Sequence, residues 1–171
     1  MKLKILMIAT SMVVLASCGP SFRVTDQSGV GIKPPTAVND AFTNQYPTAG
    51  GVTWSAYDAV NLPIDWELTG WPAMDQNDYA VVFNLNDDKY YAWYDPEGNW
   101  IGTVYAMSDF KTLPVPVSSM INDKYPGYTI TSVTNEMQKD RMAYEIQLKN
   151  GDTKAKLLVD SNGSIIKEKT K

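Results

Sequence analysis

The chain of 171 residues contains no histidine and a single cysteine, Cys18. Zinc sites built from Cys and His, Ser-His-Asp triads and Cys-His dyads all require residues that this sequence does not have. A glycine-rich phosphate loop is missing as well. The sequence therefore predicts neither a zinc enzyme of that kind nor a triad hydrolase, and we expect no cofactor.

Three weaker patterns resemble catalytic or metal motifs, and each has a simpler explanation. Ser-x-x-Lys occurs at 108–111, in a linker, and at 164–167, on a predicted strand where residues i and i+3 point to opposite faces. The residues 160–163 resemble the start of a calcium loop, but the glycine comes too early and Lys171 stands where the loop needs an acid. No spacing selects two of the nineteen acids as a hydrolytic pair. We therefore expect a protein that is not an enzyme.

The start of the chain lacks a hydrophobic run long enough for a membrane-spanning helix. Lys2 and Lys4 precede an apolar run over residues 5–15, which is shorter than the ~20 residues that a span needs. Small residues follow, just before Cys18. This order is typical of a secretory signal peptide, which we assign to residues 1–17.

The residues around the cysteine read Leu15-Ala16-Ser17-Cys18. They resemble the bacterial lipobox, in which the cysteine is acylated and becomes the first residue of the mature protein. Each acyl chain contributes about 0.8 kcal/mol per buried methylene, so several chains hold a protein on a membrane. We therefore expect a lipid-anchored protein of the cell envelope, outside the cytoplasm, on the periplasmic side or at the cell surface. Residues 18–35, rich in Gly and Pro, are predicted to form a flexible tether.

Basic residues are fewer than acidic ones. The full chain has 15 Lys and Arg against 19 Asp and Glu, and removal of the signal peptide takes away two lysines. This balance predicts no strongly basic patch. It argues against nucleic acid as a partner and against electrostatic binding to anionic lipid.

One stretch of the sequence occurs twice. Residues 78–102 align without a gap on residues 143–167, at an offset of 65 positions. Apolar residues alternate in both copies, which predicts strands with one buried face, and each copy has an Asp-x-x-Gly turn. A short predicted helix precedes each copy and ends at Tyr-Pro, because proline disfavours helical geometry in the residue before it. The helices are 79 positions apart, so the first copy carries 14 additional residues, within 55–77.

The repeats predict an α+β fold. Residues 36–107 and 108–171 are each expected to form a helix followed by four antiparallel strands. A unit of about 60 residues buries too little surface to be stable alone. We therefore expect the two repeats to share one core, with eight strands in one extended or two abutting sheets and the helices on one face.

The motifs of both copies together resemble a known family, the PepSY-like, β-lactamase-inhibitor-like proteins of bacteria, which are secreted or lipid-anchored. The residues that carry the resemblance are Phe42, Tyr46, Pro47, Trp54, Asp95, Gly98, Ile121, Tyr125, Pro126, Asp160 and Gly163. The resemblance implies a fold like that of β-lactamase inhibitor proteins, whose concave sheet grips an enzyme. It also implies a role like that of PepSY-type domains, which are associated with restraining peptidases outside the cytoplasm. A protein or peptide partner, which the protein inhibits or sequesters, is the expectation that follows.

The two copies differ on the strand face opposite the predicted core. In the second copy this face is polar; its residues are Glu145, Gln147, Lys149, Lys154 and Lys156. In the first copy the equivalent residues are Ala80, Val82, Asn84, Lys89 and Tyr91, and Trp93 stands where the second copy has Leu158. An exposed aromatic patch marks an interaction site in many soluble proteins.

Two alternatives follow for this aromatic face. Either it is an open binding face, or the insert, with Trp66 and Trp71, folds over Tyr91 and Trp93 as a second small core. The predicted binding residues are Trp66, Trp71, Val82, Tyr91 and Trp93. A different function, binding of a small molecule or a glycan, would use Trp66 and Trp71 as stacking platforms.

Overall fold

The computed structural model describes residues 31–59 and 73–170. The first half contains helix α1 (Thr36–Gln45) and strands β1 (Gly50–Ala56), β2 (Tyr79–Leu85), β3 (Asp88–Tyr94) and β4 (Trp100–Ala106). A short 3-10 helix (Phe110–Thr112) leads to helix α2 (Val115–Lys124) and strands β5 (Thr129–Gln138), β6 (Arg141–Asn150), β7 (Thr153–Asp160) and β8 (Ile165–Thr170). The predicted signal peptide, Cys18, Trp66 and Trp71 lie outside the described residues and stay predictions.

The eight strands form one antiparallel sheet in the order of the chain, from β1 to β8. The predicted α+β class is confirmed, and of the two sheet arrangements that the sequence left open, the single extended sheet is the one found. Side chains alternate across each strand, so the sheet has a face that packs on α1 and α2, here called the helix face, and an opposite outer face. In the described part of the chain no helix is long and apolar enough to cross a membrane.

The end of the predicted tether lies along the edge of the sheet. The N–H of Ile32 donates to the carbonyl of Trp54 in β1 at 3.1 Å, and Pro34 is buried. Residues 31–35 therefore pack against the folded body, and the tether prediction stays open for residues 18–30.

Both helices end for the same local reason. Tyr46 and Tyr125 follow the last helical residues, each stands before a proline, and each has left helical geometry, with φ near −128° and −126°. The N–H groups of these tyrosines still donate to the carbonyls of Phe42 and Ile121. The predicted Tyr-Pro stops are thus found at the predicted positions.

Two apolar clusters, rather than one continuous core, lie on the helix face. Under α1 the buried residues are Val38, Phe42, Trp54, Val81, Phe83, Tyr90, Ala92 and Tyr94. Under α2 they include Val117, Ile121, Val133, Ile146, Leu148, Leu157 and Val159. Tyr105 of β4 packs against both clusters. A ten-residue helix is about 15 Å long, whereas eight strands span about 34 Å, so each helix covers its own part of the sheet.

The turn before the last strand of each half docks on the helix of that half. Gly98 and Gly163 have φ of +90° and +82°. A Cβ at Gly98 would lie 2.8 Å from the carbonyl oxygen of Ala37, and a Cβ at Gly163 would lie 2.5 Å from that of Pro116. Because both the conformation and the space exclude a side chain, glycine is required at the two positions.

Candidate functional site

Neither α1 nor α2 covers the outer face of the sheet, because both helices pack on the helix face. The outer face divides into two parts of different chemistry. The part formed by β2, β3 and β4 is apolar and aromatic, and the part formed by β6, β7 and β8 is rich in lysine.

The aromatic part contains a buried cluster, here called the outer aromatic cluster. Its members are Tyr91, Trp93, Ile101 and Val104, and the partly buried residues packed on it are Tyr57, Met74, Ala80 and Val82. Trp93 is 2% exposed and Tyr91 is 8% exposed. The sequence left open whether Tyr91 and Trp93 form an open binding face or are covered; both rings are covered.

The insert contributes to this cluster at both of its ends. Tyr57 and Met74 both belong to the predicted insert and pack on the cluster. Trp66 and Trp71 lie outside the described residues. Of the five predicted binding residues, the structure therefore brings together Val82, Tyr91 and Trp93, and Val82 is the one that keeps partial exposure.

The hydroxyl of Tyr91 is a buried polar atom with no hydrogen-bond partner among the described residues. Burial raises the pKa of this phenol. The Nζ of Lys89 lies 5.8 Å from the centre of the Tyr91 ring, within the range of a cation–π contact. The ring is therefore held by its faces and edges and not through its hydroxyl.

The second part of the outer face carries five lysines, here called the lysine face. They are Lys149 of β6, Lys154 and Lys156 of β7, and Lys167 and Lys169 of β8. In the strand register Lys149 lies directly opposite Lys154, and Lys156 lies directly opposite Lys169. The prediction that the chain has no strongly basic patch is wrong for this surface, because antiparallel pairing gathers lysines that are up to twenty positions apart in the sequence.

A shallow depression lies in the lysine face. It is lined by Glu145, Lys156, Leu157, Leu158, Lys167 and Lys169. Glu145 Oε2 lies 2.9 Å from Lys156 Nζ, and Glu145 is 8% exposed although the sequence predicted a fully solvated position. Gln147, Lys149 and Lys154 are exposed as predicted.

Polar side chains of β5 separate the two parts of the outer face. Glu136 lies opposite Val104 of β4 and Ala143 of β6, and it is fully buried. Gln138 is 3% exposed and accepts a short hydrogen bond from Nη2 of Arg141. Burial of such polar groups is costly unless they are hydrogen-bonded. The polar side chains of β5 are therefore an ordered, buried part of the outer face and are not exposed to solvent.

The lysine face is the part of the candidate site that sequence reasoning missed. The signal was present, since Lys154 and Lys156, and also Lys167 and Lys169, are spaced two apart on predicted strands and must share a face. The alignment of the two copies drew attention to the aromatic residues instead. For metal binding, the described residues contain no group of three or more His, Cys, Asp and Glu side chains that could hold an ion.

Three solved structures share this fold. A BLIP-like protein from Bacteroides fragilis is 18% identical, with 81% of this chain and 87% of that chain covered and a TM-score of 0.61. A DUF2874 family protein from Bacteroides ovatus is 21% identical, with 82% and 89% covered and a TM-score of 0.60. A protein from Bacteroides eggerthii, described as a "putative periplasmic" protein, is 18% identical, with 81% and 90% covered and a TM-score of 0.58.

Sequence comparison points the same way. No curated protein matches the chain in sequence. Residues 77–167, more than half of the chain, match the family described as "Putative beta-lactamase-inhibitor-like, PepSY-like". The chain therefore belongs to the PepSY-like, beta-lactamase-inhibitor-like family, as its motifs indicated.

Proposed function

We propose that the protein is a lipid-anchored binding protein of the cell envelope that binds, and inhibits or sequesters, a protein or peptide partner through the outer face of its sheet. The observation that carries this proposal is the placement of both helices on one side of a continuous eight-stranded sheet. The family and the likeness to a BLIP-like protein support a binding role.

The size of the outer face supports a protein partner. Eight strands about 4.8 Å apart, with about seven residues each at ~3.4 Å per residue, give a face of roughly 34 Å by 24 Å, or about 800 Å². A specific protein–protein interface of ordinary size buries about 800 Å² on each partner. The whole face has this area, but Tyr91, Trp93 and Glu136 are buried, so the part that a partner contacts lies mainly on β6 to β8.

The predicted binding residues take a modified role in this proposal. Because Tyr91 and Trp93 are buried, their role is to stabilise this part of the sheet. Val82 is the partly exposed member that a partner can contact. The parts that Trp66 and Trp71 take in binding are proposed on the sequence alone. The glycan-binding alternative depends on these same two residues and stays a prediction.

Acylation of Cys18 is the proposed anchor. Residues 18–30 would connect the lipid to the folded body, and at ~3.3 Å per residue they reach about 40 Å from the bilayer. A Cys18→Ala variant should move from the membrane fraction to the soluble fraction of the envelope. Retention of this variant on the membrane would contradict lipid anchoring.

We also propose that the two halves are tandem repeats of one unit that together build the binding face. The order helix and four strands occurs twice, and the glycine turns dock on their helices in the same way in both halves. The sheet register shifts between Trp93 and Tyr94 in one half and between Leu158 and Val159 in the other, at the same offset of 65 positions. Equivalent irregularities at equivalent positions support a common origin.

The proposed function is tested by photo-crosslinking in the native envelope. A photoreactive phenylalanine derivative placed at Gln147, exposed on the outer face, should give a discrete adduct with one partner. The same derivative at Asn122, exposed on α2, is the matched control and should give none. Absence of an adduct from Gln147, or the same adduct from both positions, would contradict the proposal.

A further inference from the structure

Charge is unevenly distributed between the outer face and the rest of the chain. On β5 to β8 the outer face carries six basic residues, which are Arg141, Lys149, Lys154, Lys156, Lys167 and Lys169, and three acidic ones, Glu136, Glu145 and Asp160. The whole chain has 15 basic and 19 acidic residues, so the remainder has 9 basic and 16 acidic residues. One surface of an acidic protein is therefore basic.

Folding stability accounts for Lys156, whose Nζ lies 2.9 Å from Oε2 of the buried Glu145, but not for the whole arrangement. Like charges directly opposite each other on neighbouring strands are destabilising, and two such pairs, Lys149 with Lys154 and Lys156 with Lys169, lie on this face. Lysines on an edge strand protect a sheet against aggregation, which accounts for Lys167 and Lys169 on β8. Neither the edge position nor the ion pair accounts for Lys149 and Lys154, which are exposed on strands further in.

We propose that the lysine face is the docking site for an acidic segment of the protein partner. This inference rests on the proposed function and names the chemistry of the partner. Outer-face lysines on one strand are about 6.8 Å apart, which is the spacing of alternate side chains in an extended chain. Glutamates at every second position of an extended segment therefore have the same spacing as Lys154 and Lys156, or as Lys167 and Lys169.

An acidic protein segment fits better than an anionic membrane or a nucleic acid. The chain as a whole is acidic, with 19 Asp and Glu against 15 Lys and Arg, which disfavours large polyanions such as a membrane surface or a nucleic acid. A short segment contacts the lysine face alone. The fields of the remaining acids are screened beyond about 8 Å at physiological salt.

The test uses a fluorescent synthetic peptide of alternating Thr and Glu, titrated into the full chain in neutral detergent and followed by fluorescence anisotropy. We expect binding that weakens as salt is added, because the contacts are ionic. The double variant Lys149→Glu/Lys154→Glu changes two exposed lysines that lie opposite each other and should weaken it about tenfold or more. The double variant Lys111→Glu/Lys139→Glu changes two exposed lysines elsewhere by the same charge and should change binding less than about twofold.

Several results would overturn the inference. These are no binding of the acidic peptide at low salt, the same loss of binding in both double variants, or tighter binding of phosphatidylglycerol vesicles or of a DNA oligonucleotide than of the peptide. Circular dichroism checks that each variant is folded, and Lys149→Gln/Lys154→Gln gives the same test with a smaller charge change. If crosslinking from Gln147 succeeds and the peptide fails, the acidic-segment inference is wrong while the proposed function stands. If crosslinking fails, the proposed function itself is wrong.

Discussion

Equivalent positions in the two parts of the outer face lie in different chemical surroundings. Trp93 and Leu158 stand 65 positions apart in the two halves, and each is 2% exposed. Trp93 is packed among apolar neighbours such as Ile101 and Val104. Leu158 lies opposite Lys167 and lines a depression among lysines. Equivalent backbone positions thus carry an apolar cluster in the first half and a lysine-rich surface in the second half.

The first prediction tests whether the two parts differ in their contribution to stability. Trp93→Ala should lower the free energy of unfolding by about 3–5 kcal/mol, because it removes a large buried side chain from a packed cluster. Leu158→Ala should cost about 2–3 kcal/mol, near the lower limit for buried leucine, because the long lysine side chains around it can close over the gap. Chemical denaturation followed by circular dichroism measures both values. A larger loss for Leu158→Ala would contradict this comparison.

The second prediction tests the equivalence of the two halves at their docking turns. Gly98→Ala and Gly163→Ala should each cost at least ~2 kcal/mol, because a left-handed conformation costs about 1–2 kcal/mol for alanine and the new Cβ also meets the backbone of the helix. Thermal and chemical unfolding provide the measurement. Gly151→Ala is the matched control, since Gly151 has φ of +57° and nothing lies within 4 Å of the added Cβ. Equal losses at all three glycines would show that helix docking contributes nothing.

The third prediction concerns the response of the two halves to high pH. Burial, together with the neighbouring Tyr46, raises the pKa of the Tyr94 phenol, and burial followed by interaction with Glu168 raises that of Tyr125 to about 12. In the unfolded chain these phenols ionise near pH 10, whereas the folded chain keeps its protons. The folded state therefore binds more protons above pH ~10, and stability falls as the pH rises from there towards the folded pKa values.

The alkaline loss should be greater in the first half. Burial also raises the pKa values of Tyr46, Tyr90 and Tyr91 there. All five tryptophans precede residue 101, so tryptophan fluorescence reports on the first half. Hydrogen exchange of β6 and β7 reports on the second half. Stability that does not change between pH 9 and the folded pKa of about 12 would contradict the prediction.

The smallest predicted effect distinguishes two tyrosines that lie three positions apart on β3. Tyr91→Phe should change the free energy of unfolding by less than about 0.5 kcal/mol or raise it, because the buried hydroxyl has no partner among the described residues. Tyr94→Phe should cost about 1 kcal/mol, because the Tyr94 hydroxyl donates to Oε1 of Gln45 at 3.0 Å. Denaturant unfolding of the two variants decides this. A loss for Tyr91→Phe as large as that for Tyr94→Phe would mean that the Tyr91 hydroxyl does have a partner.

Local signals in the sequence predicted much of the fold. The Tyr-Pro stops and the Asp-x-x-Gly turns are properties of adjacent residues, and the structure has both where the sequence placed them. Burial alternates on β2 as predicted, whereas β6 buries the four consecutive residues 143–146. The division of the core into two clusters could not be predicted from adjacent residues. It depends on how far a ten-residue helix reaches across eight strands, which is a property of the assembled sheet.

The candidate site was harder to predict from the sequence, because it too depends on how the strands are assembled into the sheet. The sequence assigned Lys149, Lys154 and Lys156 to one face, but the pairing of β7 with β8 is needed to add Lys167 and Lys169 beside them. Overall charge gave the wrong expectation, because it averages a basic face with an acidic remainder. The outer aromatic cluster likewise includes contacts with Tyr57 and Met74, which are remote in sequence from Tyr91 and Trp93.

The most direct test of the central claim blocks one face of the sheet at a time. In a Cys18→Ser background, a cysteine introduced at Gln147 or at Asn122 is coupled to a maleimide polymer, and binding of the crosslinked partner is then measured. Polymer at Gln147, on the outer face, should abolish binding, and polymer at Asn122, on α2, should leave it unchanged. Binding that survives the polymer at Gln147 and is lost with the polymer at Asn122 would contradict the assignment of the outer face as the binding surface.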